Sequence, residues 1–360
     1  MTPERGLELR NVPEPQNPPS GHLTVRILAA AINSGDKSFL KRPAGGALSL
    51  GDIAFDIWGA SAAGEVVASG PDVTEGYVGR KVAIYRSLGR GPDTIGLWCE
   101  TAQVPFTSCL RLPDDVDPAD YSGSLVNLIT AYAFLEDVSA RGDSAVLATA
   151  GSSATGRALA VLARARGIRA LLLVRSMQAK AELEQHGITD VYLVDGEDGL
   201  EAASRAAEAC GASTVFDGVG GAALGRLLPH LPLGSTVYAY GFLGGPEPVS
   251  FPSSLLNGRN LTLRPFSNFG SATVRDRDRL AAAFLALEHL GDHPLLRTRV
   301  GSRFRIEQIE AAMAFSGIAG SKAIIEPSLS GSKRRAGACN RDRSDGRLPT
   351  AGLQGLKPLR

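Results

Sequence analysis

The chain is poor in the features that mark several large functional classes. No apolar run approaches the roughly 18 residues that span a bilayer. The opening stretch MTPERGLELRNVPEP has no apolar core of the kind a secretory signal needs. Only four cysteines occur in 360 residues (Cys99, Cys109, Cys210, Cys339), and they are scattered. Reduced thiols in a cytosolic protein are therefore expected, not a disulfide framework. Neither sign of charge is in excess, with Lys+Arg 38 against Asp+Glu 37. That balance removes the electrostatic case for nucleic acid or an anionic membrane as the main partner. The length exceeds one compact core and suits two domains.

Two textures follow one another along the chain. Up to about residue 115 there are short β-rich segments, HLTVRILAAAI (22–32), GEVVASG (64–70) and KVAIYRSL (81–88), with Gly and Pro between them. They predict an antiparallel, barrel-like β domain. After LPDDVDPAD (112–120), YSGSLVNLITAYAFLEDV is apolar at helical spacing, with capping residues at its start. Six apolar segments then alternate with helical stretches: 144–150, 170–176, 191–195, 214–219, 236–241 and 261–266. That alternation predicts an α/β, doubly wound parallel sheet of Rossmann type. A further helix at 274–291 and the strand-like KAIIEP (322–327) are expected to return to the first domain. The basic, Ser/Gly-rich tail 328–360 reads as disordered.

The segment ATAGSSATG (148–156) follows a predicted strand and opens a helix. There, free backbone N–H groups and the positive helix end meet a dinucleotide pyrophosphate. The candidate cofactor residues are Gly151, Ser152, Ser153, Ala154, Thr155 and Gly156. Only Gly151 and Gly156 keep the glycine fingerprint, so an ordinary βα turn also fits. At the end of the next predicted strand, where an NAD enzyme places a carboxylate for the ribose 2′-OH, the sequence has Arg175 and Ser176, with Lys180 following. A guanidinium there can grip a 2′-phosphate, which predicts NADPH over NADH. A solvated strand end is the plain alternative. Tyr240, Gly241 and Phe242 end a later strand on the crevice side, where Tyr240 either borders the nicotinamide or is a core residue.

Taken in order, VRILAAAINSGD, GASAAGEVVASG, LVNLITAYAFL and TVFDGVGGAALGRLLPHLPLGSTVYAYG resemble the medium-chain dehydrogenase/reductase superfamily, close to its zinc-independent quinone oxidoreductases. The match runs from about residue 7 to 327. It implies a GroES-like β-barrel catalytic domain over 1–118, completed by about 270–327, and a Rossmann cofactor domain over 119–269. It implies that Asn33 and Asp36 form the family's Asn-x-x-Asp element, that Thr130 faces the nicotinamide and that Gly218 and Val219 belong to the Asp-x-Val-Gly-Gly region. Asn33 either donates to the substrate oxygen or closes a turn, and Asp36 orients that loop. Asn268 follows the last strand and can reach either ligand. A homodimer paired through the cofactor domains' edge strands is also implied. Gly59-Ala60-Ser61 stands where zinc members supply a metal ligand, and the four-cysteine lobe is missing. No metal is expected. His289 and His293 are spaced four apart but read as loop residues. Without a Lewis acid, the expected acceptors are already electrophilic: a quinone or an α,β-unsaturated carbonyl. The alternatives are an enoyl-thioester reductase, although KSFLKRPAGGALSLGD lacks that group's proton-donor tyrosine, and a low-turnover NADPH-binding protein.

Overall fold

The computed structural model describes residues 7–40, 57–89, 95–245, 247–318 and 320–327. The tail from Ser328 and most of the 39–57 loop lie outside them. Strands β1 (His22–Ala31), β2 (Ser61–Ser69), β3 (Lys81–Tyr85), β4 (Thr101–Pro105) and β5 (Cys109–Arg111) belong to the first sheet. Strands β6 (Ala145–Ala148), β7 (Arg169–Val174), β8 (Val191–Leu193), β9 (Thr214–Asp217), β10 (Thr236–Ala239) and β11 (Thr262–Pro265) form the second. Strands β12 (Val300–Arg305) and β13 (Lys322–Glu326) rejoin the first, where β13 pairs antiparallel with β1. The helices are α1 (Ser34–Leu40), α2 (Pro118–Tyr121), α3 (Leu125–Ala140), α4 (Ala154–Ala165), α5 (Met177–Gln185), α6 (Glu197–Cys210), α7 (Gly221–Leu227), α8 (Ser254–Arg259), α9 (Ala272–Arg275), α10 (Arg277–His289) and α11 (Ile309–Ala314). No helix among the described residues is long and apolar enough to cross a membrane.

The second sheet runs β11-β10-β9-β6-β7-β8, with every neighbouring pair parallel. Its strand order reverses between β6 and β9, which is where open α/β sheets bind ligands beyond the strand ends. The inner strands are covered on both faces, and their side chains are buried without alternation. This explains why they read as plain apolar runs. Strand β12 alternates half-buried and exposed residues, and its polar half hid it in the sequence.

Helix α3 joins the two halves. Its Leu128, Ile129, Phe134 and Leu135 share one apolar cluster with Ala83 and Tyr85 of the first sheet and Val146 and Phe216 of the second. Phe134 stacks on Phe216 at 3.7 Å between centroids and meets Tyr238 and Phe266 edge-on. Arg157 of α4 adds a polar tie, donating from Nε to the Leu295 carbonyl and from Nη2 to that of Arg297.

Some predicted boundaries move. KVAIYRSL ends as a strand at Tyr85 and turns into a 3-10 helix. The helix expected from Tyr121 breaks between α2 and α3, with Asp117 capping α2 through the Ala119 N–H. The 274–291 helix divides at Asp276, whose carboxylate caps α10 by accepting from Asp278 and Arg279 N–H. His289 is the last residue of α10, not a loop residue; His293 precedes the next 3-10 turn and accepts from Leu295 N–H. Strands β4, β5 and β12 and helices α1, α8 and α11 had no sequence counterpart.

Replacing Phe134 by Ala is expected to cost about 3–5 kcal/mol, the range for a large aromatic removed from a packed core. Urea unfolding of the full chain measures it.

Candidate active site

Asp36 is buried in the first turn of α1, at 1% exposure. Its Oδ2 accepts from the Asn33 backbone N–H at 2.8 Å and from Asn33 Nδ2 at 3.1 Å; its Oδ1 accepts from Ala60 N–H at 3.1 Å. Burial raises its pKa, opposed by the Asn33 N–H bond and the positive field of Arg86. Asn33 Nδ2 also donates to Ser61 Oγ at 2.8 Å. Both amide hydrogens of Asn33 are thereby spent. The expected donation from Asn33 to a substrate oxygen does not fit this arrangement, and Asn33 acts as the turn residue that organises the site. Its Oδ1 accepts from Lys322 Nζ at 2.6 Å, and Lys322 also donates to the Gly123 carbonyl at 3.1 Å.

The same chain of bonds continues into the second sheet. The Gly123 carbonyl accepts from Asn127 Nδ2 at 2.6 Å, and Asn127 Oδ1 accepts from Thr155 Oγ1 at 2.9 Å. Thr155 lies in the first turn of α4. Ser153 caps α4 there, its Oγ accepting from Gly156 N–H at 3.1 Å. A Cβ on Gly156 would stand 2.5 Å from the Ala150 and Gly151 carbonyl oxygens, and one on Gly151 would stand 2.8 Å from Leu172 Cβ. These two glycines therefore survive because strand and helix close on each other there. Ser152 and Ala154 need only be small.

Thr149 and Asp217 clasp β6 and β9 across the point where strand order reverses. Thr149 Oγ1 donates to Asp217 Oδ1 at 2.6 Å and accepts from Gly218 N–H. Asp217 also receives Val219 and Gly220 N–H, so the 217–220 loop is held by its own carboxylate. Tyr240 stacks on Phe216 at 4.0 Å. Burial raises the pKa of its phenol. A Cβ on Gly218 would meet that phenol oxygen at 2.4 Å, and one on Gly241 would lie 2.8 Å from the Gly218 carbonyl. Tyr240 thus packs directly against the 217–220 loop. Thr130 donates to Val126 O and accepts from Asn268 Nδ2 at 2.8 Å, so Asn268 positions Thr130. Phe242 is half exposed.

Arg175 is exposed at the tip of β7, with no protein partner recorded among the described residues. Ser176 caps α5 by accepting from Ala179 N–H at 3.2 Å. Lys180 lies 3.8 Å from Glu184, one turn on, so its charge is shared locally. Among the described residues no three His, Cys, Asp or Glu cluster as a metal site. Cys99 bonds to carbonyls and burial pushes its thiol up to about 12, while Cys109 is likewise buried and raised.

A largely antiparallel sheet extended by C-terminal strands is thus linked by a path of polar side chains to a doubly wound parallel sheet. The chain has the medium-chain dehydrogenase/reductase fold. The alcohol dehydrogenase GroES-like domain family matches residues 19–114. A mitochondrial enoyl-[acyl-carrier-protein] reductase of Xenopus tropicalis is 28% identical over 275 residues, covering 73% of each chain. A mycobacterial protein crystallised with NADPH superposes with a TM-score of 0.66 at 23% identity, over 88% of this chain and 95% of its own. A NADPH:quinone reductase homologue from Mesorhizobium loti gives 0.63 at 21%, over 87% and 88%. Within this fold, sequence reasoning missed Lys322, Asn127, Ser61, Asp217 and Arg86. Arg86 is 3% exposed, its Nη2 has no partner among the described residues and its Nη1 is 3.5 Å from the Ile57 carbonyl. A lysine opening an apolar strand was the readable signal for Lys322.

Removing the Asp36 carboxylate with Asp36→Ala leaves three buried donors unpaired. A loss of about 2–4 kcal/mol is expected, since each orphaned donor costs roughly 1–3 kcal/mol and part is recovered by relaxation. Urea unfolding monitored by circular dichroism reads it.

Proposed function

We propose that the chain is an NADPH-dependent oxidoreductase that passes hydride to a quinone or an α,β-unsaturated carbonyl without zinc. The observation that carries this reading is the pairing of a helix-opening turn at the strand-order reversal with an unpartnered guanidinium at the tip of β7. The cofactor's pyrophosphate would take the N–H groups at the start of α4, with Ser152 and Ser153 beside it. Arg175 would take the 2′-phosphate, and the Ser176 hydroxyl still has its proton to donate. The nicotinamide would lie between Thr130, Tyr240 and the 217–220 loop. When bound, the cofactor supplies the hydride; the chain orients it, excludes water and provides polar contacts to the acceptor oxygen.

The zinc-free reading rests on donor chemistry. Ala60 presents its backbone N–H to Asp36, Ser61 Oγ accepts from Asn33, Cys99 bonds to backbone carbonyls and Cys109 is buried. Enoyl-thioester reduction is the second reading, favoured by the relatives that bear that name. An acceptor panel of quinones, enones and enoyl thioesters separates the two, and NADPH binding without turnover of any acceptor would favour a low-turnover binding protein. A cytosolic location and a homodimer complete the proposal. Strand β11 is exposed at every residue and ends the second sheet, offering its free edge to a second copy. Leu263→Pro should convert the dimer to monomer in light scattering.

Fluorescence titration should show NADPH binding more tightly than NADH. Arg175→Asp should weaken NADPH by roughly tenfold to a hundredfold, the range of a lost charge-assisted bond, and leave NADH little changed. Equal preference before and after would remove Arg175 from the phosphate site.

A further inference from the structure

Hydride transfer to a carbonyl-conjugated acceptor leaves an electron pair on oxygen, and a proton must arrive to complete the reduction. Among the described residues no histidine bonds to Asn33, Asp36 or Lys322, and both amide hydrogens of Asn33 are committed. Asp36 is sealed behind Asn33 with its oxygens occupied by N–H groups. Tyr240 is stacked on Phe216, and burial raises the pKa of its phenol, which makes it a weaker acid. Among the described residues, the ammonium bonded directly to Asn33 is that of Lys322.

Resting on the NADPH reading above, we propose that Lys322 is the general acid that protonates the acceptor oxygen as hydride reaches the acceptor. Three observations support it. The ammonium has three N–H bonds; Asn33 Oδ1 and the Gly123 carbonyl take two, and no other acceptor is recorded for it among the described residues. Lys322 and Asn33 are half-buried, whereas Asp36, Ser61 and Arg86 are at most 3% exposed, so the first two are the more open members of this network. The backbone leaves room for it, because a Cβ on Gly123 would lie 2.8 Å from Nζ.

The charged groups around the ammonium suit the role. Burial lowers its pKa to about 8; Asp36 on α1 pulls it up and Arg157 on α4 pushes it down. Arg299, whose carbonyl accepts from Lys322 N–H at 2.8 Å, directs its own guanidinium to Glu182 on α5. An acid with this pKa is protonated at neutral pH yet gives up its proton far more readily than an ordinary lysine. The step balances. Hydride leaves the reduced nicotinamide and bonds to the acceptor, whose displaced electron pair moves to oxygen. One Nζ–H bond breaks and an O–H bond forms. The resulting neutral amine is reprotonated from water before the next turnover.

The test uses the full chain with NADPH and the best acceptor of the panel. The wild type should show kcat level at low pH and falling as pH rises through about 8, because the acid works only while protonated. Lys322→Met should lower kcat by at least about a hundredfold, the usual size of a general-acid contribution. Lys322→Arg keeps the charge and the fold, and should lose the same activity and the fall above pH 8, while NADPH Kd from fluorescence stays within about tenfold. A second readout needs no turnover. In protein carrying ¹³C-labelled lysine, one Cε resonance should titrate near pH 8 and be missing from Lys322→Arg. Retained kcat in Lys322→Arg, an unchanged pH profile, or a Lys322 resonance titrating in the ordinary lysine range would overturn the assignment. Absence of NADPH binding by the wild type would instead overturn the cofactor reading on which it rests.

Discussion

A carboxylate buried without a salt bridge organises the crevice. Asp36 is held by three N–H groups drawn from the residue before α1 and the residue before β2, and this fixes Asn33 against Ser61 and so fixes the acceptor that Lys322 meets. A fully desolvated carboxylate with an incomplete set of donors would cost several kcal/mol. The local backbone is therefore constrained to bring Asn33 N, Asn33 Nδ2 and Ala60 N to it at once. A short helix directly after a long strand is the geometry that does this, which accounts for α1 despite its Gly35 and its small number of turns. Burial raises its pKa, and the positive fields of Arg86 and Lys322 pull against that rise.

The second sheet obeys a different constraint, which is closeness of backbones. Gly151, Gly156, Gly218 and Gly241 each sit where an added methyl would strike a carbonyl, a packed Cβ or the Tyr240 phenol. The loops after β6, β9 and β10 consequently pack into one rim at the strand-order reversal. The Thr149–Asp217 clasp draws β6 and β9 together there. The two halves then communicate through polar groups as well as through the core of α3, since Asn33, Lys322, Gly123, Asn127 and Thr155 form one continuous path from the first sheet to the helix-opening turn.

Much of this was readable in the sequence, for physical reasons that differ by region. The parallel strands showed because burial on both faces demands unbroken apolar runs, and the helices between them showed because each buries one stripe. Strands β4 and β5 are short and half-polar, and β12 alternates at an edge, so their patterns resemble ordinary loops. The helix-opening turn was legible from its small residues, and Arg175 from its place after β7. Lys322 was not, because its meaning comes from Asn33, which lies 289 positions away in the chain. Asn33 was visible as a residue, but the sequence cannot show that both its amide hydrogens are committed to Asp36 and Ser61.

The position of Tyr240 makes a missing side chain part of the aromatic packing. Its ring lies on Phe216, and its phenol oxygen stands 2.4 Å from where a Cβ on Gly218 would be. Even one methyl group at position 218 would push the ring off Phe216 or spread β9 from β10. The 217–220 loop, already tied down by its own carboxylate, is thereby also a floor cut to fit one ring.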